Sequence, residues 1–254
     1  NCIFYIYLLM DNVVVIMAGG LGKRMNSDIP KVLHKVNDKP MLIHVIESAL
    51  AIQPIKIYIV VGKYMPMIKD AVYFYRLIDD VEFIKQEEAL GTGHAIQCCR
   101  PYLYQHEYSN TIILSGDVPL ITTKTIRHMI RNLEYGRILT TILDNPTGYG
   151  RVIETDTGKF EKIVEEKDCN DLERKCQKIN AGIYAFDTFI LCKYLPLLSN
   201  NNAQGEYYLT DIVEIIKNKE EVDIEIFNMP LENQQELLGV NTEQQLIELN
   251  NLLK

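Results

Sequence analysis

The sequence predicts an α/β fold on a mostly parallel sheet, and three observations predict it. Short β-branched runs alternate with segments of helical period, the pattern of successive βαβ units. A glycine-rich turn follows directly on the first of those runs. The chain has 254 residues, 47% of them hydrophobic and 24% charged, enough apolar material for one large core. That composition excludes a disordered or collagen-like protein.

Each element has a local reason. Asn12 to Met17 (NVVVIM) is long enough for a buried strand and too short for a helix. Pro40 opens a helix whose Leu42, Val45, Ile46 and Ala49 share one face. Apolar runs at 55–61, 81–84 and 111–114 read as further strands, the last ending in Ser115-Gly116-Asp117. Thr123 is placed to cap a helix reaching about Leu133, and 138–143 reads as another strand. In the second half, strands are expected at 151–154, 160–164, 179–186 and 222–227. Helices are expected at 187–198, at 209–217 and from Thr242 onward.

With no repeat and no Gly/Ser/Pro-rich linker, residues 10–254 read as one continuous domain. The opening NCIFYIYLLM is apolar but lacks a basic flank. Asp11 cuts it well short of the ~20 residues a spanning helix needs. Residues 1–9 are therefore expected to be a non-native or upstream leader, with Met10 the initiator. A cytoplasmic protein without membrane attachment is expected.

The net charge of −8 leaves no global basic field for a nucleic-acid backbone, so no nucleic-acid partner is expected and any anion site must be local. Cys2, Cys98, Cys99, Cys169, Cys176 and Cys192 form no C-x-x-C pair, which argues for free thiols and against zinc or a disulfide framework. His34, His44, His94, His106 and His128 show no metal-binding spacing and read as ordinary surface or core residues.

Three short segments hold chemistry. MAGGLGKRM, Met17 to Met25, leaves a buried strand with Gly19, Gly20 and Gly22, whose backbone can present N–H groups to an anion. Lys23, Arg24 and then Lys31 supply positive charge close by. The spacing excludes a Walker A loop, because Met17 stands five before Gly22 and Arg24 follows Lys23. It also excludes the G-x-G-x-x-G dinucleotide fingerprint. QEEALGTGHA, Gln86 to Ala95, places Gly91, Thr92 and Gly93 at a helix start. Gln86 there offers a paired donor and acceptor, which suits an amide-like edge such as that of uracil. In SGDVPL, Asp117 follows a strand and Pro119 stops the ladder. Strand carboxyl ends are where open α/β sheets bind ligands. A carboxylate facing phosphate calls for a divalent cation between them, for which Mg²⁺ is the natural candidate.

In this order the three segments resemble the nucleotide-diphosphosugar pyrophosphorylases. IPKVLH, LGTGHA, GDVPL, DNPTGYGR, IVEEKD, INAGIY, NNNAQGEYYLTDI and GVNT narrow the resemblance to the uridylyltransferase domain of N-acetylglucosamine-1-phosphate uridylyltransferases. It covers the chain from about Met10 to the end, without that family's C-terminal β-helix acetyltransferase domain.

The resemblance implies a Rossmann-like three-layer fold with a mostly parallel mixed sheet. It also implies Mg²⁺-dependent uridylyl transfer from UTP to N-acetylglucosamine 1-phosphate. By it, Gly19, Gly20, Gly22 and Lys23 border the nucleotide, and Arg24 and Lys31 act on its phosphates. Gln86, Gly91 and Thr92 read the base. Gly150, Glu165 and Asn180 hold the amino sugar, and Asp117 and Asn241 hold the metal. Leu21 stands where the family commonly has a basic residue, Lys23 where it has Thr or Ser, and Ser115 where it often has Tyr. The same chemistry on GTP with mannose 1-phosphate or dTTP with glucose 1-phosphate is the neighbouring alternative. A non-catalytic nucleotide-sugar sensor is the alternative of another class.

Overall fold

The computed structural model describes residues 10–20, 22, 25 and 27–253; the expected leader, Lys23 and Arg24 lie outside the described residues. Strands form where the apolar runs predicted them. These are β1 (Asn12–Met17), β4 (Lys56–Val61), β5 (Glu82–Lys85), β6 (Asn110–Ser115), β7 (Gly136–Ile142), β8 (Arg151–Glu154), β9 (Phe160–Val164), β10 (Lys178–Asp187) and β11 (Glu225–Asn228). A short pair, β2 (Lys35–Val36) and β3 (Lys39–Pro40), stands apart. The large sheet runs β11-β7-β10-β6-β1-β4-β5, with β8 and β9 attached through β10. β1 pairs parallel with both β4 and β6, whereas β10 is antiparallel to β6 and β7. The sheet is thus mixed and mostly parallel, as expected.

Alternation along β1 builds two cores, because successive side chains leave a strand on opposite faces. Val14 and Ile16 face α1 (Met41–Leu50), α2 (Met65–Phe74) and α4 (Thr123–Ile130). Val13 and Val15 face α3 (Thr92–Leu103), α5 (Thr188–Tyr194) and α6 (Asp211–Glu220). Both layers bury fully apolar positions, so the strand interior is continuous β-branched sequence, as a sheet covered on two faces requires. A third, smaller cluster joins Met25, Val36, Met41 and Val240 to Leu249 of α7 (Glu243–Leu252). It ties the chain's last helix to the segment behind the glycine turn.

Several boundaries differ from the expectation. Thr122, not Thr123, caps α4: its Oγ1 accepts from Thr125 N at 3.2 Å. That helix stops at Ile130, short of Leu133, where the buried Arg137 guanidinium donates to the carbonyls of His128, Met129 and Arg131. α6 begins at Asp211 and not at Leu209, whose N–H goes to Thr92 Oγ1 at 3.0 Å. Two elements go beyond the expectation. α2 has a proline in its first turn and buries Ile68 and Val72, four residues apart. The β2–β3 turn places Asn37 and Asp38 at φ 48° and 63°, the left-handed pair a tight hairpin favours. Among the described residues, no helix is long and apolar enough to cross a membrane, and Cys98, Cys99, Cys169, Cys176 and Cys192 are free thiols.

Candidate nucleotide and sugar-phosphate site

A cleft of about 620 Å³ opens at the carboxyl ends of β1 and β6. Gly19, Gly20 and Gly22 line one side, Gln86, Gly91 and Thr92 another, and Lys31, Asp117 and Asn241 the floor. Twelve of the fourteen residues expected at the site are described. Nine of these line the cleft, the other three gather beside it, and Lys31 joins the two metal candidates directly.

Gly22 has φ +58°, and a Cβ there would come within 2.9 Å of Lys31 Cβ, so the turn presses onto the segment that bears the lysine. Lys31 opens a short 3₁₀ turn after Pro30, and its ammonium pairs with Asp117 Oδ2. The same Nζ donates to Asn241 Oδ1 at 2.9 Å, across 210 residues of sequence. Ser115 Oγ donates to the other Asp117 oxygen at 2.6 Å. Asp117 is 9% exposed. Asn241 is held opposite it because Val240 N donates to Asp117 O at 3.0 Å, while Gln245 Oε1 accepts from Asn241 N at 2.7 Å. The floor is therefore a carboxylate, an amide oxygen and a cation fixed from three distant segments.

The residues expected to read a base differ from that expectation in one respect. Gln86 is buried, and its Nε2 donates to Gly91 O at 3.1 Å while a second contact of 3.1 Å runs to His94 Nδ1. The donor half is spent inside the protein. Only Oε1, on the Gly19 side, 3.1 Å from where a Cβ on that glycine would stand, is left to meet a ligand. Thr92 Oγ1 accepts from the Leu209 N–H at 3.0 Å.

Gly91 has φ +110°, and a Cβ on it would lie 2.5 Å from Tyr207 O. The backbone of Tyr207 is pinned there, with its N–H on Leu90 O at 2.8 Å and its O accepting from Gly93 N at 2.7 Å. So the NNNAQGEYYLTDI run packs against the LGTG turn and brings Glu206 to the cleft. Sequence reasoning gave Glu206, Tyr207 and His94 no role. His94 carried a signal only as the residue after the second glycine of that turn.

The expected sugar-side residues gather next to this cleft. Asn180 N donates to Gly150 O at 2.9 Å, and a Cβ on Gly150 would touch both Glu165 carboxylate oxygens at 3.5 Å. Thr210 Oγ1 donates to Glu165 Oε1 at 3.0 Å. Asn180 Nδ2 donates to Tyr184 Oη at 2.6 Å. Burial pushes the Glu165 carboxyl above its usual range, against the Thr210 bond, with Asp211, Asp168 and Glu206 adding to the rise. The strand shifts register between Asn180 and Tyr184, a bulge of the kind that re-aims side chains beside active sites. Burial, then the charge of Asp117, raises the neighbouring Tyr149 hydroxyl.

The MobA-like NTP transferase domain model matches residues 14–160, more than half of the chain. The "Probable UDP-N-acetylglucosamine pyrophosphorylase" of Acanthamoeba polyphaga mimivirus is 40% identical over 92% of this chain and 92% of its own length. The bifunctional protein GlmU of Clostridium tetani is 42% identical over 96% of this chain, which spans 53% of that longer protein. GlmU of Paraburkholderia phymatum is 42% identical, and the chain covers 51% of it. The chain thus spans about half the length of the bifunctional relatives. A solved Bacillus anthracis chain assigned as a glucose-1-phosphate thymidylyltransferase, in complex with a sucrose, shares the fold. Its TM-score is 0.73 at 20% identity, over 95% of this chain and 94% of that one. The cleft at the strand ends and these matches agree: the chain is a nucleotidyltransferase that belongs to the MobA-like NTP transferase family and, within it, to the UDP-N-acetylglucosamine pyrophosphorylases.

Proposed function

We propose that this chain transfers a uridylyl group from UTP to N-acetylglucosamine 1-phosphate, forming UDP-N-acetylglucosamine and pyrophosphate. The observation that carries the reading is the meeting of Lys31, Asp117 and Asn241 on the cleft floor beside the glycine turn. In the reaction a sugar-phosphate oxygen bonds to the α-phosphorus of UTP, and the bond from that phosphorus to the bridging oxygen of pyrophosphate breaks. The attacking oxygen is already ionised at neutral pH, so no side chain has to remove a proton. The barrier is the approach of two polyanions. Two like charges about 4 Å apart repel by about 4 kcal/mol at an effective dielectric of 20.

Lys31 offsets that repulsion with a cation on the floor, and catalysis is positioning plus charge neutralisation. Arg24, outside the described residues, is proposed to act on the phosphates with it. Lys23 joins Gly19, Gly20 and Gly22 at the nucleotide. Gln86 Oε1 accepts the N3–H of uracil beside Gly91 and Thr92. Cytosine offers a lone pair at that position and is repelled. Glu165 and Asn180 hold the sugar hydroxyls and amide, with Gly150 leaving room for them.

A divalent cation fits the floor. Asp117 Oδ2 and Asn241 Oδ1 already converge on one positive centre, the Lys31 ammonium. Among the described residues no three His, Cys, Asp or Glu side chains gather around a common point. With only these two protein oxygens, the remaining ligands would have to be water and phosphate, a donor set that suits Mg²⁺. Asp117 and Asn241 would hold it, and it would supply charge neutralisation on the phosphates.

The test is pyrophosphate release from UTP, CTP, dTTP or GTP with N-acetylglucosamine 1-phosphate, glucose 1-phosphate or mannose 1-phosphate, with and without chelator. UTP with N-acetylglucosamine 1-phosphate is expected to exceed every other pair and to stop with chelator. A preference for another pair would overturn the substrate assignment, and turnover unaffected by chelator would overturn the metal.

A further inference from the structure

We infer that His94 is a positioning residue for nucleotide choice, acting through Gln86; the inference rests on the uridylyl reading above. An amide side chain is symmetric in shape and opposite in chemistry at its two ends, so what a glutamine reads depends on which end faces the ligand. Two acceptors fix that choice for Gln86: Gly91 O and His94 Nδ1, each 3.1 Å from Nε2. Both amide hydrogens are thereby spent, and the oxygen is left on the Gly19 side of the cleft.

His94 can accept at Nδ1 only when its proton sits on Nε2, the tautomer selected by a Gln86 amide whose donor end already faces Gly91 O. Nε2 lies 3.9 Å from Cys98 Sγ, one helical turn further along α3. The ring also lies beside Tyr207, with centroids 6.2 Å apart. The His94 ring and the Gly91 carbonyl thus orient the Gln86 amide together. Turning the amide over would set its oxygen against the Gly91 carbonyl and the bare Nδ1 together, losing two hydrogen bonds and adding two repulsions.

Neither the base-reading glutamine alone nor the helix start alone accounts for this arrangement. A glutamine held by Gly91 O only would keep one hydrogen bond and a weaker preference. Replacing His94 by phenylalanine keeps the ring and removes the acceptor. Asparagine restores a side-chain oxygen at the distance from Cα where Nδ1 stood.

The experiment measures kcat/KM for UTP and for CTP, each at saturating N-acetylglucosamine 1-phosphate, in the wild type, His94→Phe and His94→Asn, with melting curves for all three. In His94→Phe the UTP-to-CTP ratio is expected to fall about fivefold to tenfold, the scale of one buried hydrogen bond. The fall is expected through KM for UTP, with KM for the sugar phosphate unmoved, and His94→Asn is expected to recover most of the ratio. A His94→Phe ratio equal to that of a UTP-preferring wild type overturns the role of His94 and leaves the uridylyl reading standing. Loss of activity with both nucleotides in equal measure also overturns it, since a merely structural role produces that result. A wild type that transfers neither nucleotide sinks the uridylyl reading and this inference with it.

Discussion

Exchanging single glycines for alanine separates the two jobs that the cleft's glycines perform. At Gly91 the backbone has φ 110° and ψ 174°, a region open in practice to glycine alone. Forcing alanine into it costs about 1–3 kcal/mol. The new methyl group would also stand 2.5 Å from Tyr207 O and 2.9 Å from Tyr207 N, both main-chain atoms with no rotamer to escape through. The 206–208 segment has to move, and its hydrogen bonds to Leu90 and Gly93 move with it. The expected loss for Gly91→Ala is about 3 kcal/mol, or roughly 6–12 °C in melting temperature for a chain of this size. At Gly20 a Cβ would meet no atom within 4 Å, because the space belongs to the cleft. Gly20→Ala is expected to melt within about 1 °C of the wild type and to raise KM for UTP. Thermal melts and nucleotide kinetics on the two variants together form the assay. A Gly91→Ala protein as stable as the wild type, with unchanged KM, would refute the packing of the late loop on the LGTG turn.

Three further outcomes follow from particular contacts. Lys31→Ala is expected to lower kcat by about 10²–10³, the scale of losing one preorganised charge at a phosphate, while far-ultraviolet circular dichroism stays unchanged. Asp211 is pushed up to about 6, first by burial and then by Glu214 and Asp168. Because its folded value exceeds the unfolded one, its protonated form favours folding below pH 4, and that benefit is lost as pH rises through 6. Asp211→Asn is therefore expected to raise the melting temperature at pH 7.5, with the gain vanishing toward pH 4, as melts across a pH series would show. Glu236 accepts from Thr122 N, Thr122 Oγ1 and Thr125 Oγ1 at 3.2, 2.8 and 2.7 Å, pinning the segment before Asn241 to the start of α4. Glu236→Ala is expected to cost about 1–2 kcal/mol in denaturant unfolding.

Much of the sheet was legible because its strands announce themselves locally. NVVVIM can be little but a buried strand, and Val13 to Ile16 are all fully buried. Asp117 could be placed at a strand end from Ser115-Gly116-Asp117 and Pro119 alone. Asn241 could not, since 210 residues separate it from Lys31 and no local pattern marks an amide that will face a distant carboxylate. Only the resemblance supplied it. The helix cap fell one residue early on Thr122 because adjacent threonines are equivalent in sequence and only one takes extended backbone angles. Gln86 was legible as a paired donor and acceptor beside the LGTG turn. Which half it offers was not, because His94 and Gly91 decide that through side-chain geometry invisible in composition or spacing.

The most direct test of the site is pyrophosphate release by Asp117→Asn, with UTP and N-acetylglucosamine 1-phosphate at saturation. Lys31 has an open cleft into which its ammonium can turn when its partner is neutralised, so melting within about 2 °C of the wild type is expected. The account predicts that kcat falls by at least about 10². Turnover within about twofold of the wild type would contradict it, because the chemistry would then lie somewhere other than the floor that Asp117, Asn241 and Lys31 form.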